Sequence, residues 1–161
     1  MGSVNANEND SNIIEAEIKN LLDKKVIQEV TFVEGQFISP IFVRPKKNGE
    51  YRMILNFKKL NESVEYHHFK MDTLEFALNL IKPNSFCASI DLRHAYYSVP
   101  IAEQYQIYLR FIWKDCIYQY TCLPNGLASA PRLFTKLMKV VYATLRRMGH
   151  VNIGYIDKTL Y

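Results

Sequence analysis

The sequence has few cysteines and no long apolar run, and both absences narrow the classes of protein to which it can belong. Its three cysteines, Cys87, Cys116 and Cys122, form no CxxC pair, which argues against a disulfide framework or a zinc site. Each lies in an apolar stretch, so we expect buried thiols in a reducing compartment. No apolar run is as long as a membrane span, and the N-terminus lacks the pattern of a signal peptide. These absences predict an intracellular protein, in the cytoplasm or nucleus, with no membrane partner.

The composition is that of a globular chain with a mildly basic surface. Its 161 residues are 48% hydrophobic and 22% charged, with a net charge of +4, which fits one domain with its own core. A small basic excess is compatible with nucleic acid but is common among other proteins too. The sequence shows no repeat and no linker. We predict a disordered polar tail over residues 1–11 and one α+β domain over residues 12–161.

Hydrophobic periodicity and turn residues predict the order of helices and strands. An amphipathic helix is expected from Ser11, with Ile14, Ile18, Leu21 and Leu22 on its apolar face. Asn48-Gly49 indicates a hairpin turn between two strands. The further predicted elements are strands Phe37–Arg44, Glu50–Phe57, Ser85–Asp91, Gln106–Trp113, Cys116–Thr121, Val151–Ile156 and Thr159–Tyr161, and helices Thr73–Ile81 and Ala130–Met148. Helix Ala130–Met148 carries a broad apolar face, interpreted as core with a dimer contact as the alternative.

Two aspartates follow apolar strands and are candidates for a metal site. Asp91 and Asp157 each stand at the end of such a strand. If those strands are neighbours, the two carboxylates can converge on a hard cation such as Mg²⁺. Paired metal ions of this kind stabilise the attacking and leaving oxygens in a phosphoryl displacement. The alternative is that each aspartate only closes a turn.

Four stretches carry motifs that occur in a fixed order. They are residues 44–57 (RPKKNGEYRMILNF), 89–101 (SIDLRHAYYSVPI), 123–131 (LPNGLASAP) and 155–158 (YIDK). In this order they resemble the fingers hairpin and the three palm motifs of reverse transcriptases. The resemblance implies the fingers and palm of a right-hand polymerase, with an antiparallel palm sheet packed on helices. The amino-acid sequence of residues 37–62 and 89–101 most resembles that of reverse transcriptases from retrotransposons, in particular the tyrosine-recombinase group called DIRS.

The resemblance implies roles for individual residues. Asp91 and Asp157 would be catalytic and would bind two Mg²⁺ ions, with the carbonyl of Leu92 completing one coordination shell. The implied nucleotide-binding residues are Lys46, Lys47, Arg52, His94, Ala95, Tyr96, Asn125 and Gly126. An arginine fork suits triphosphate oxygens, and a rigid tyrosine ring at position 96 would exclude a 2′-hydroxyl. The alternatives are a solvated hairpin tip for the lysines and a core tyrosine for Tyr96.

The last motif departs from the family at Lys158, where a second metal-binding aspartate is expected. The change replaces an attracting ligand with a fixed ammonium, and each unit of charge at contact distance is worth roughly 1–4 kcal/mol. The chain also ends before the position where a thumb would follow. We therefore predict a reverse transcriptase domain, acting on a primer-template and dNTPs, that is inactive or severely impaired. The alternative is a non-catalytic, domesticated remnant that binds nucleic acid or another protein.

Overall fold

The computed structural model describes residues 8–46, 49–84, 86–155 and 158–160. These residues divide into two compact units. The first takes its residues from Met1–Val64 and Pro100–Leu127, and the second from Glu65–Val99 and Ala128–Tyr161.

Helices and strands alternate irregularly along the chain, as expected for an α+β protein. In order they are α1 (Glu8–Asp23), β1 (Ile27–Val30), β2 (Ile41–Pro45), β3 (Tyr51–Leu55), α2 (Lys58–Glu62), α3 (Leu74–Leu80), β4 (Ser89–Asp91), α4 (Glu103–Gln106), β5 (Arg110–Trp113), β6 (Cys116–Tyr120), α5 (Ala130–Arg147), β7 (Ile153–Tyr155) and β8 (Lys158–Leu160). A short 3₁₀ turn covers Ala95–Ser98. Every strand pair within the sheets is antiparallel.

The first unit packs helix α1 against strands. Ile14, Ile18 and Leu21 are buried on one face of α1, which confirms the helical spacing for these three. Leu22, which was expected on the same face, is exposed. The predicted start at Ser11 is too late, because the helix begins at Glu8 and the Ser11 hydroxyl donates to Glu15 inside it. The predicted tail over 1–11 is therefore helical from residue 8, and residues 1–7 lie outside the described part. Strands β1, β6 and β5 form a three-stranded sheet in that order.

The predicted hairpin is confirmed as the β2–β3 pair. Ile41 and Leu55 are register partners at its base, and both are buried. The buried aromatic ring of Phe57 follows directly after β3. The apolar base thus fixes the hairpin to the first unit, while its other end carries the polar residues described below.

The second unit contains a sheet of order β4-β8-β7 and the long helix α5. Phe134 and Tyr142 are buried on α5, and the helix contacts β7. Thr73 caps α3, since its hydroxyl accepts a hydrogen bond from the Phe76 amide at 3.2 Å. The predicted helices over Thr73–Ile81 and Ala130–Met148 are confirmed within a residue or so at each end.

Several further details differ from the sequence predictions. The strands expected from Phe37 and from Ser85 begin only at Ile41 and Ser89. The strand expected from Gln106 begins only at Arg110, because residues 103–106 form helix α4 and a turn follows it. Cys87 is exposed, whereas burial was expected for every cysteine. The apolar face of α5 is only partly core, since Leu133, Leu137 and Val141 are exposed. Within the described residues, no helix is long and apolar enough to span a bilayer.

Candidate functional site

The β2–β3 hairpin concentrates positive charge on opposite strands. Arg44 is the register partner of Arg52, and both side chains are exposed. Neither has an acidic partner among the residues that the structure describes. The Arg44 guanidinium instead lies over the Phe42 ring, 5.3 Å from its centroid. Because like charges directly opposite each other destabilise a ladder, this arginine pair favours a bound anion.

Lys46 stands at the tip of the same hairpin. Its Nζ lies 2.9 Å from Glu50 Oε2, and both side chains are largely exposed. Exposed pairs of this kind contribute about 1 kcal/mol or less, so a phosphate can replace the carboxylate at little cost. The predicted Lys47 lies outside the described residues.

The loop around Gly126 borders an open cleft in the first unit. Gly126 has a φ of +92°, and a side chain there would meet Phe57 only at ordinary contact distance, 3.7 Å. The backbone conformation, and not crowding, therefore favours glycine. The Asn61 amide donates to the Gly126 carbonyl at 3.0 Å, while the neighbouring Asn125 is exposed. The cleft has a volume of about 550 Å³ and is lined by residues of β2, β3, α2 and this loop, among them Phe42, Ile54, Phe57, Lys58, Asn61 and Gly126.

Helix α2, which supplies Lys58 and Asn61 to the cleft, was not predicted from the sequence. It is short, with no buried residue, and so it has no apolar periodicity. One local signal was available: Asn56 Oδ1 accepts a hydrogen bond from the Lys58 amide at 3.1 Å, and asparagine before a polar run often begins a turn or helix.

Asp91 lies in the second unit, at the end of the edge strand β4. Its side chain is exposed. Its register partner on the adjacent strand β8 is Lys158, which is paired in turn with Tyr155 of β7. The predicted partner Asp157 lies outside the described residues. The strand ending at Asp91 and the strand β7 that leads towards Asp157 share one sheet, but β8 lies between them. The prediction that these two strands are direct neighbours is therefore wrong.

Residues in the turn after Asp91 make two aromatic contacts. His94 has a left-handed backbone, with φ of 56°, and its ring stacks on Tyr97 with centroids 5.6 Å apart. The half-buried Tyr96 ring meets Phe134 edge-on at 5.5 Å. Leu92 and Ala95 are half-buried in the same stretch.

The structure groups the predicted residues by unit. Lys46, Arg52, Asn125 and Gly126 belong to the first; Asp91, Leu92, His94, Ala95, Tyr96 and Lys158 belong to the second. Among the described residues, no group of three or more acidic, histidine or cysteine side chains could hold a metal ion. Asp91 does not by itself make a metal site.

Comparison with known proteins places this arrangement in a family. The family profile described as "Reverse transcriptase (RNA-dependent DNA polymerase)" matches residues 44–161. The enzymatic polyprotein of soybean chlorotic mottle virus is 28% identical over 149 residues, which are 89% of this chain and 21% of the polyprotein. The transposon Tf2-3 polyprotein of Schizosaccharomyces pombe is 25% identical over 144 residues, which are 89% of this chain and 10% of that protein. The chain thus spans about a fifth or less of the length of these relatives.

Solved structures give the same fold. The protease–reverse transcriptase of prototype foamy virus superposes with a TM-score of 0.77 at 22% identity, covering 96% of this chain and 20% of that one. A foamy viral protease–reverse transcriptase in complex with double-stranded DNA gives a TM-score of 0.74 at 25% identity, covering 98% of this chain and 26% of that one. The predicted class, α+β fingers and palm with antiparallel sheets, is therefore confirmed. With its four motifs in order and the family profile matched over most of its length, this chain belongs to the reverse transcriptase (RNA-dependent DNA polymerase) family.

Proposed function

We propose that this chain binds a nucleic acid primer-template and dNTPs as a reverse transcriptase domain, and that Lys158 abolishes or severely impairs its DNA synthesis. The observation that carries the proposal is the register of the second unit, in which Lys158 is directly opposite Asp91. Residues directly opposite in an antiparallel ladder have neighbouring Cβ atoms. The lysine position is therefore adjacent to the carboxylate that the resemblance assigns to the metals.

The binding half of the proposal rests on the hairpin. Arg44, Arg52 and Lys46 present three cations on one exposed hairpin, two of them in a mutually repulsive pair. Phosphate oxygens relieve that repulsion, and arginine pairs with them in a bidentate manner. We assign the triphosphate to Arg52 with Lys46 or Lys47, and the nucleotide surroundings to His94, Ala95, Tyr96, Asn125 and Gly126. These assignments follow the family motifs residue by residue.

The catalytic half concerns the metal. The family chemistry would require Asp91, the Leu92 carbonyl and Asp157 to hold Mg²⁺, which would supply charge stabilisation to the phosphoryl transfer. Lysine in place of aspartate at position 158 changes the local charge by two units, which opposes a divalent cation by several kcal/mol. Since each ~1.4 kcal/mol costs tenfold in rate, turnover falls by orders of magnitude. This chain's remaining chemistry is binding and orientation of the primer-template.

A second function is favoured by the same register. A chain with the cationic hairpin is suited to bind nucleic acid. A lysine opposite Asp91 hinders the metal binding that copying requires. A domesticated, non-catalytic remnant is therefore our alternative. The relatives include a plant virus polyprotein and a yeast transposon polyprotein. From the amino-acid sequence of residues 37–62 and 89–101, we propose that the chain originates nearest the DIRS group of retrotransposons.

The test compares the unaltered chain with its Lys158→Asp variant, and with Lys158→Ala as a charge control. Binding to a labelled RNA–DNA hybrid is measured first by fluorescence anisotropy, and primer extension on RNA with Mg²⁺ second. We expect all three chains to bind, the unaltered chain to be inactive or nearly so, and Lys158→Asp to extend best. Extension by the unaltered chain at the rate of Lys158→Asp would refute the impairment. Absence of hybrid binding in all three would refute the binding half.

A further inference from the structure

A buried arginine lies on strand β5 of the first unit. Arg110 on β5 is only 4% exposed. Its Nε donates to Gln119 Oε1 at 2.7 Å, and its Nη1 donates to Gln36 Oε1 at 2.5 Å and to the Thr31 carbonyl at 3.2 Å. One guanidinium therefore joins residues 31–36 to the β5–β6 hairpin, in which Gln119 is the register partner of Arg110.

The hydrogen bonds continue beyond the arginine. Gln119 Nε2 donates to Gln106 Oε1 at 2.9 Å, and Gln106 Nε2 donates to the Ile101 carbonyl at 2.7 Å. Gln106 and Gln119 are themselves buried. The result is one continuous chain of polar contacts from the loop before β2 to Ile101, the last residue of the 89–101 motif.

All the acceptors of Arg110 are neutral amides. No carboxylate pairs with it among the residues that the structure describes, and burial lowers the pKa of its guanidinium. A buried charge without a counter-charge costs stability, and an apolar side chain of similar volume is often neutral or better. Stabilisation of the core therefore does not by itself explain a buried arginine at this position.

The network ends where the cationic hairpin begins. The Phe37 amide donates to the Ile107 carbonyl at 3.0 Å, and the Ser39 amide donates to the Arg110 carbonyl at 2.8 Å. The next residue, Pro40, accepts from the Asn56 amide at 2.8 Å, which closes the base of β2–β3. Arg110 therefore holds this hairpin root, defined as residues 36–40 with Asn56, through both its side chain and its backbone.

The other end of the network reaches the Gly126 loop. The Ile101 amide donates to the Thr121 carbonyl at 3.0 Å, and Pro100 forms an isolated bridge with Cys122. The buried Leu123 then leads into the loop with Asn125 and Gly126. Both nucleotide-facing parts of the first unit are therefore tied to the same buried polar chain.

We propose that Arg110 is a positioning residue: the hydrogen bonds to Gln119 and Thr31 hold its guanidinium in place, and the one to Gln36 fixes the hairpin root and thereby the cations that meet phosphate. The proposal rests on the proposed binding function for its biological meaning, but the geometry it describes is measurable without any ligand. Its geometric requirement is the guanidinium fork, because a lysine ammonium cannot donate to Gln119, Gln36 and Thr31 from one plane.

The test is amide hydrogen exchange on the free chain with Arg110→Met, Arg110→Lys and Gln36→Leu. Gln36→Leu removes the contact on the hairpin side, together with the bond from the Val33 amide to the same oxygen at 3.4 Å, and leaves the Arg110 contacts to Gln119 and Thr31 in place. It therefore remains informative if the Arg110 variants fail to fold. We expect the Ser39, Lys46 and Asn56 amides to exchange at least tenfold faster in all three, with the α1 amides unchanged. Arg146→Met is the matched control, since Arg146 also donates to a carbonyl, that of Asn152, but in the second unit.

A second readout separates this proposal from the binding function itself. RNA–DNA hybrid affinity should fall about tenfold in Gln36→Leu and Arg110→Lys while Arg146→Met binds like the unaltered chain. If the unaltered chain fails to bind, the proposed function is wrong, and the exchange data still decide the role of Arg110. Unchanged exchange at the hairpin, equal acceleration across the whole unit, or full rescue by Arg110→Lys would each overturn the positioning role.

Discussion

At the scale of single residues, cysteines that look alike in the sequence differ in how far their thiols are buried. Cys122 is 6% exposed, and its Sγ lies 3.7 Å from the Val26 carbonyl. Burial raises the pKa of the Cys122 thiol from 9.0 to about 11. Cys87, by contrast, is exposed. Because the thiolate is the nucleophile, these two cysteines should differ strongly in reactivity.

We expect iodoacetamide at pH 8 to modify the exposed Cys87 first, and to modify Cys122 roughly 100-fold more slowly in the folded chain than in the unfolded one, because burial raises the Cys122 pKa from 9.0 to about 11. The Cys122 rate should rise about tenfold per pH unit up to about pH 11. The folded pKa exceeds the unfolded one, so the stabilisation by the neutral thiol is complete below pH 9 and is lost towards pH 11. Peptide mapping by mass spectrometry gives both rates. Equal rates in the folded chain, as expected in denaturant, would contradict the burial of Cys122.

Under the proposed roles, the departures from the family motifs differ in the chemistry they would change. The resemblance places His94 where aspartate is frequent, in a role that would use only the backbone amide, and its left-handed φ of 56° fits a turn that supplies such an amide. Asn56, where aspartate is common by the same resemblance, keeps an oxygen that accepts from the Lys58 amide. In the proposed site, Lys158 would replace a metal ligand by a positive charge, which is the largest of the three changes.

At the scale of elements, helix α5 and strand β7 approach each other at a glycine. A methyl group at Gly154 would overlap the Tyr142 ring, which is buried against that position. The Gly154 amide also lies 3.5 Å from Asp72 Oδ2. Gly154 thus permits the close packing of the strand that leads into the last motif.

We expect Gly154→Ala to lower the free energy of unfolding by about 1–3 kcal/mol, the usual cost of overpacking. Tyr142→Leu alone should also destabilise, because it leaves a cavity. The double variant should lose less than the sum of the two, since the leucine makes room for the methyl group. Urea unfolding of all four chains measures the coupling. Strict additivity would show that the two residues do not contact each other.

Elements with a strong period or turn signal were predictable, and short ones were not. The apolar residues of helix α1 recur at helical spacing, and Asn48-Gly49 is a typical hairpin turn. Both elements can therefore be predicted from the local sequence. Helix α2 and strand β1 are short and depend on tertiary partners, such as the Asn61–Gly126 hydrogen bond. The order of the motifs identified the β2–β3 hairpin as the place where its cations would meet phosphate. It could not predict the Arg110 network, whose partners lie 74 and 79 residues away in sequence.

At the scale of the whole molecule, the position of charge matters more than its sum. The net charge of +4 is modest, yet Arg44 and Arg52 stand directly opposite each other on one exposed hairpin. Lys24 and Lys25 are exposed too, but they follow α1 and match no motif. A purely electrostatic association would use all four side chains alike, whereas a site at the hairpin would use the two arginines.

Salt dependence separates these possibilities. Each phosphate contact contributes close to one unit to the slope of log affinity against log salt. We expect the Arg44→Gln/Arg52→Gln double variant to weaken binding to an RNA–DNA hybrid at every sequence tested and to reduce that slope by about two. Lys24→Gln/Lys25→Gln removes the same charge from the same unit, and we expect its slope to stay near that of the unaltered chain. Anisotropy titrations between 50 and 200 mM salt give the slopes. Equal changes in both double variants would mean that the chain attracts nucleic acid only through its overall charge, and that the hairpin is not a binding site.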